Sequence, residues 1–315
     1  MKLKKKVIIV QPIHDEGLKL LKESVEEVIV SPDDSVETVK KLLDETVEGV
    51  IVRYNPFPRE LMGKAPNLKV IGRHGIGVDL IDLNAATERG IVVVNTPEAA
   101  TNSVAEHAVT LMLCLAKNIL FADKESRKAN YAIKNKMLCT DLKGKILGII
   151  GIGKIGLEVA KKCMNGFNMK VLAYDPFADK RKIEELGISL VDDINVVLKE
   201  ADFVSLHLPL TKDTKYSIGE NEFKKMKRTA FLINCARGAV VNERELIKAL
   251  KEGEIAGAGL DVVEKEPPDK DNPLLKLDNV VLTPHSASLT VESKIKMAVT
   301  AVEEVVKVLK GEKPK

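Results

Sequence analysis

The chain has 315 residues, 30% of them charged and 45% hydrophobic, and a net charge of only +3. That length suggests about two domains with enough core to bury, and the charge balance demands no polyanionic partner. No stretch approaches the roughly 20 apolar residues of a membrane helix, so neither a membrane nor nucleic acid is expected as a partner. Cys114, Cys139, Cys163 and Cys235 show no CxxC spacing, which reads as reduced thiols in the cytoplasm and no metal site.

Lys2 to Lys6 runs straight into an apolar segment, so it reads as a solvated terminus rather than a nucleic-acid arm. The apolar run that follows is too short for a signal-peptide core. Strand-like runs at 7–10, 28–30, 50–52, 70–71 and 91–94 alternate with helical patterns such as 16–23 and 36–43. This βαβα rhythm predicts a parallel sheet covered on both faces. Asn95-Thr-Pro97 breaks it. Residues 103–118 are apolar nearly all round, a helix buried between layers, domains or subunits, with Glu106 and His107 as polar groups tied down at an interface.

A second alternating series begins at Gly144, with strands near 146–150, 171–174, 188–191, 203–208, 230–234, 259–263 and 280–283, and helical patterns at 193–199, 220–226 and 243–252. It predicts a doubly wound nucleotide domain. The last helical pattern, 290–310, is long and amphipathic, and crossing back onto the first domain would make that domain discontinuous.

The second series opens on its most informative stretch. An apolar strand enters Gly151-Ile-Gly153-Lys-Ile-Gly156, a helical pattern follows, and the next strand ends on Asp175, 19 positions beyond Gly156. Gly151 permits the tight turn, Gly153 lets a pyrophosphate approach the backbone, and Gly156 lets the helix pack on the strands. The helix N-terminus presents free N–H groups and the positive end of its dipole to the phosphates. Asp175 would accept from ribose hydroxyls and repel a 2′-phosphate, which points to NAD rather than NADP.

Ligands of open α/β sheets sit beyond the carboxyl ends of strands. Just past the later strands come Arg237, Glu266 and His285, with Asp261 on the sixth strand of this series. The set suits hydride transfer to a 2-keto acid. Arg237 would pair bidentately with the substrate carboxylate, and His285 would supply the proton that the keto oxygen needs. Glu266 would orient the ring and stabilise its protonated form. His207, inside its strand, reads as a satisfied core group, while His14 and His74 follow strands of the first half. There, Arg53, Arg73 and the loop Gly75-Ile76-Gly77 form two cations and an anion nest, suggesting a grip on an anionic substrate.

Several motifs together resemble the D-isomer-specific 2-hydroxyacid dehydrogenases, and within them most the D-3-phosphoglycerate dehydrogenases. They are Gly72-Arg-His-Gly-Ile-Gly-Val-Asp79, Asn95-Thr-Pro97, Gly151 to Gly156, His207-Leu-Pro-Leu-Thr211, Asn234-Cys-Ala-Arg-Gly238, Leu260-Asp-Val-Val-Glu-Lys-Glu-Pro267 and Thr283-Pro-His285. The resemblance implies an α/β fold of two doubly wound domains, a Rossmann-type NAD-binding domain (100–287) inserted in a smaller flavodoxin-like substrate domain (1–99 and 288–315). It implies Arg237, Glu266 and His285 as the catalytic set, Asp261 near the nicotinamide, and Lys154, Ile155, Asp175, Leu208 and Cys235 around the cofactor. It also implies homodimers or tetramers built on the long interdomain helix. The stop at Lys315 reads as a short form without a C-terminal regulatory domain. His74 and Tyr54 depart from the phosphoglycerate pattern, which keeps a hydroxypyruvate or glyoxylate reductase in view. An NAD-sensing corepressor is the alternative from another class.

Overall fold

Valine- and isoleucine-rich runs that are apolar along their whole length need cover on both faces, and the computed structural model, which describes residues 2–315, builds two parallel sheets from them. The first unit comprises the residues up to Ala100 together with Ser288–Lys315, and the second is Thr101–Ala287.

In the first unit the chain runs β1 (Leu3–Ile9), α1 (Asp15–Ser24), β2 (Val25–Val30), α2 (Val36–Leu42), β3 (Val47–Val52), α3 (Arg59–Lys64), β4 (Val70–Arg73), α4 (Leu83–Glu88) and β5 (Val92–Val94). The strand order is β2-β1-β3-β4-β5, all parallel, the flavodoxin-like doubly wound order. Lys5 and Lys6 are held by Glu48 and Asp44 at 2.8 and 2.9 Å, so the basic start is tied to the unit's own carboxylates. One face of the sheet packs against α2, α3 and α4 through Phe57, Leu61, Met62 and Ile71.

The other face is covered by α1 and by a helix from the far end of the chain. Val302, Val305, Val306 and Leu309 of that helix join Val7, Ile9, Ile51 and Val70 in one apolar cluster. Each fully buried valine contributes roughly 1.5–3 kcal/mol relative to exposure.

The second unit opens on α5 (Thr101–Ala116) and α6 (Ile119–Ser126). Then come β6 (Ile146–Ile150), α7 (Lys154–Phe167), β7 (Lys170–Tyr174), α8 (Lys180–Glu184), β8 (Ser189–Val191), α9 (Ile194–Glu200) and β9 (Phe203–Leu206). The series closes with α10 (Glu220–Lys225), β10 (Phe231–Asn234), α11 (Glu243–Glu252), β11 (Gly257–Leu260) and β12 (Val280–Leu282). The returning helix of the first unit is α12 (Val291–Leu309), capped by Thr290, whose hydroxyl accepts from the Ser293 N–H at 3.2 Å.

The seven parallel strands lie in the order β12-β11-β10-β9-β6-β7-β8, so the chain winds away from β6 to both sides. Helix α5 packs with α7 on one face, its Leu111 and Met112 fully buried, while α9, α10 and α11 cover the other. Two strands end earlier than their apolar patterns suggest. β9 stops at Leu206, the last residue paired to both neighbours, so His207 and Leu208 lie beyond the strand rather than within it. β11 starts at Gly257 and stops at Leu260, which puts Asp261 in the loop.

Candidate active site

The strand order reverses between β6 and β9, and the glycine-rich loop sits there. Gly151 has φ +92°, and a Cβ on it would lie 2.8 Å from the His207 carbonyl oxygen and 3.1 Å from Leu208 Cδ2. Only glycine fits so tight a passage. A Cβ on Gly156 would collide with the Gly151 carbonyl oxygen, so the first turn of α7 presses directly on the loop. Gly153, by contrast, is exposed, and a side chain added there would meet nothing within 4 Å, which leaves its backbone open to a phosphate. Lys154 beside it is exposed too, and Ile155 packs inward.

Asp175 closes the fingerprint. Its Oδ2 accepts from the Ile152 N–H at 3.0 Å and its Oδ1 from the Phe177 N–H at 2.9 Å. The carboxylate therefore clips the glycine loop to the end of β7, and each oxygen keeps a lone pair for a ribose hydroxyl. These residues fit a dinucleotide at a topological switch point.

Further along the same edge Asn234 clasps the β10 loop. Its Oδ1 accepts from the Ala236 N–H and its Nδ2 donates to the Arg237 carbonyl, both at 3.0 Å. Arg237 donates through Nη1 to the Ala236 carbonyl at 2.7 Å. Cys235 packs against the α5–α7 core, and burial, then the Asp261 carboxylate, push its thiol far up, so it lines the edge as an inert apolar group.

Glu266 and His285 meet. His285 Nδ1 is 2.7 Å from Glu266 Oε2, and the Val263 N–H holds the other oxygen at 3.3 Å. A carboxylate only accepts, so Nδ1 carries the shared hydrogen and Nε2 is left to give or take a proton. Behind the pair, Val263, Pro267, Leu282 and Pro284 help line an apolar cavity of about 410 Å³. His285 has φ 51°, the left-handed region that a non-glycine residue keeps only where its surroundings impose it. Asp261, 2% exposed, provides that restraint by accepting from the residues on either side of the histidine.

Comparison with known proteins agrees with this geometry. Residues 109–287 match the model of the D-isomer specific 2-hydroxyacid dehydrogenase NAD binding domain. The chain is 44% identical over 307 residues to the D-3-phosphoglycerate dehydrogenase of Archaeoglobus fulgidus, covering 97% of this chain and 58% of that one. It is 40% identical over 319 residues to the glyoxylate reductase of Korarchaeum cryptofilum, covering 99% and 95%. The chain belongs to the D-isomer specific 2-hydroxyacid dehydrogenases. Among solved proteins of similar structure is the TT0316 protein of Thermus thermophilus, with a TM-score of 0.89, 34% identity and 98% of each chain covered. The chain spans a little over half the length of the phosphoglycerate relatives it matches. No single helix among the described residues is long and apolar enough to cross a membrane.

The candidate residues of the first unit lie at the ends of β3 and β4. Arg73 turns two of its donors into its own loop. Its Nε donates to the Gly77 carbonyl at 2.8 Å and its Nη1 to the His74 carbonyl, bracing the loop from inside. Gly75 gives its N–H to Thr96 Oγ1 at 3.0 Å, so the expected nest loses that donor. The N–H groups of Ile76 and Gly77 have no protein acceptor among the described residues. Arg53 is held at its N–H by Gln11 Oε1 and at Nη1 by the Pro12 carbonyl, both at 2.7 Å. Its guanidinium stacks 5.4 Å from the Tyr54 ring and keeps Nε and Nη2 without a partner among the described residues.

The remaining histidines sort by environment. His74 is 5% exposed, and burial, then Arg53 and Arg73, push it down to about 4. Burial does the same to His207, also to about 4. Both stay neutral near pH 7 and are poor proton donors. His14 caps α1, its Nδ1 accepting from the Glu16 N–H. His107 is bound within the second unit to Thr283 and Asp261. Gln11 escapes a sequence reading because it is uncharged. Gln11 could have been found by the strand-end rule, since it directly follows an apolar run.

Proposed function

We propose that the protein is an NAD-dependent dehydrogenase that interconverts D-3-phosphoglycerate and 3-phosphohydroxypyruvate. The observation that carries the chemistry is the Glu266–His285 pair, 2.7 Å apart, on the same sheet edge as the glycine fingerprint. Gly151, Gly153, Lys154, Ile155, Gly156, Asp175, Leu208, Cys235 and Asp261 would hold the cofactor, which supplies a hydride acceptor or donor. Arg237 takes the substrate carboxylate in a bidentate pair. His285 Nε2 gives a proton to the keto oxygen in reduction and removes it in oxidation, while Glu266 fixes the ring through Nδ1.

The free N–H groups of Ile76 and Gly77 favour an anionic oxygen at the loop after β4. The two unpartnered nitrogens of Arg53 favour a phosphate remote from the reacting carbon. Arg73, whose Nε and Nη1 brace the same loop, would hold that loop in place beneath the anion.

A second reading, reduction of unphosphorylated glyoxylate or hydroxypyruvate, is favoured by the glyoxylate reductases matched over nearly their whole length and by Tyr54 stacked on Arg53. Measuring kcat/KM for phosphohydroxypyruvate, hydroxypyruvate and glyoxylate in wild type and Arg53→Ala separates the two. On the phosphate reading the substitution costs the phosphorylated acid about 10- to 100-fold and barely touches glyoxylate. A wild type that prefers the unphosphorylated acids, with all three hurt alike by the substitution, selects the second.

Exposed Ile119, Leu120, Tyr131 and Leu138 in and after α6 support assembly as a homodimer or tetramer, which light scattering checks. The four free cysteines support a reducing, cytoplasmic location.

A further inference from the structure

Beneath the loop that carries His285, three side chains from distant parts of the second unit form one hydrogen-bonded chain. Thr283 Oγ1 lies 2.6 Å from Asp261 Oδ1. His107 Nε2, from α5, lies 2.9 Å from Thr283 Oγ1 and 3.4 Å from Asp261 Oδ1. A hydroxyl has one proton and a carboxylate only accepts, so Thr283 gives its proton to Asp261 and receives one from His107. Nε2 of His107 therefore carries a hydrogen, and the direction runs from His107 through Thr283 to Asp261.

Asp261 passes the restraint on. Its Oδ1 also accepts the Ser286 N–H at 2.8 Å, and its Oδ2 the Ala287 N–H at 3.0 Å. Its backbone carbonyl accepts the His285 N–H at 2.8 Å. His285 depends on this frame because its side chain is half exposed, at 51%, and has little packing of its own. Its left-handed backbone would relax if the residues on either side were released.

We propose that His107 is a positioning residue for His285, acting through Thr283 and Asp261 and not on the substrate. The proposal rests on the reading of His285 as the proton donor. His107 sits on a helix whose buried face packs on β10, β11 and β12, so the frame is anchored in the core of the unit. An imidazole N–H at this point does more than fill space, because a hydroxyl that accepts from Nε2 is held with its own proton turned to the carboxylate.

The test compares full-length wild type with His107→Gln, His107→Leu, Thr283→Val and the His107→Leu/Thr283→Val double variant. Glutamine keeps an N–H near the place of Nε2 and leucine does not. Reduction of the preferred 2-keto acid should lose about tenfold or more in kcat in His107→Leu. His107→Gln should recover most of the loss, and the double variant should be little worse than Thr283→Val, as for residues acting in one chain. Hydrogen exchange of the Ser286 and Ala287 amides is read in parallel without substrate, and it should quicken in the leucine variant and stay near wild type in the glutamine one. Wild type inactive on every 2-keto acid would overturn the proton-donor reading, and the exchange data would still decide whether His107 holds the loop. Unchanged kcat and exchange in His107→Leu, or additive losses in the double variant, would overturn the positioning role.

Discussion

Two sheets of the same construction end in polar loops that spend their bonding capacity differently. Past β4, the first unit spends much of its polar capacity on itself: Arg73 gives two donors to its own loop, Gly75 is tied to Thr96, and His74 is buried, which leaves the Ile76 and Gly77 N–H groups to face a ligand. Past β6, β7 and β12, the second unit leaves Gly153 open, Asp175 with spare lone pairs, and His285 exposed with its carboxylate partner. Topology delivers polar residues to both edges. What each can do is decided by how much of its bonding capacity the fold has already consumed.

The sharpest way to break this contrast is to exchange a single histidine in each unit. His285→Asn should lower keto-acid reduction about 10²- to 10⁴-fold, the usual worth of a positioned proton donor, whereas His74→Asn should change kcat by less than about fivefold. Steady-state rates with NADH decide it, and equal losses at both positions would mean that burial does not separate their roles.

Asp175 tests the boundary between these two uses, because it both braces a loop and offers free lone pairs. Asp175→Ala should weaken NAD by roughly 1.5–3 kcal/mol, and NADP should lose less or gain. Matched weakening of both in fluorescence titrations would make Asp175 a brace like Arg73.

The smallest effect is on stability. The folded chain keeps His74 neutral down to about pH 4, while an unfolded chain protonates it near its ordinary value of 6.5. As pH falls, the unfolded state takes up the proton first, so this stability is whole above pH 6.5 and drains away towards pH 4. Denaturant melts should show roughly 1–2 kcal/mol of it lost by pH 5. His74→Leu, which removes a buried Nε2 with no partner among the described residues, should flatten that slope. An unaltered slope would place the acid sensitivity elsewhere.

Much of this is legible in the sequence. The glycine fingerprint can be read because each glycine answers a backbone demand within a few residues, such as the φ of +92° at Gly151. Arg237, Glu266 and His285 stand out as candidates because parallel sheets send ligands to strand ends. The bonds from Arg73 to the Gly77 and His74 carbonyls cannot be read, since a guanidinium near glycines looks the same whether it faces a ligand or its own loop. Nor can the partners of His107, because Thr283 lies 176 residues away and only the packing of α5 on the sheet brings them together. The strand ends at Leu206 and Leu260 are overrun by a sequence reading because apolar residues continue past the last paired one.

Helix α12 has a consequence for synthesis. The ribosome releases the five strands of the first sheet early, yet the helix that supplies Val302, Val305 and Val306 to one of its faces is made after the whole second unit. Until then Val7, Ile9 and Ile51 lack part of their cover, while the intervening unit has all its strands in hand. The second unit, though later in the chain, is thus free to fold first. The first must wait for α12, with part of its apolar sheet uncovered until that helix arrives.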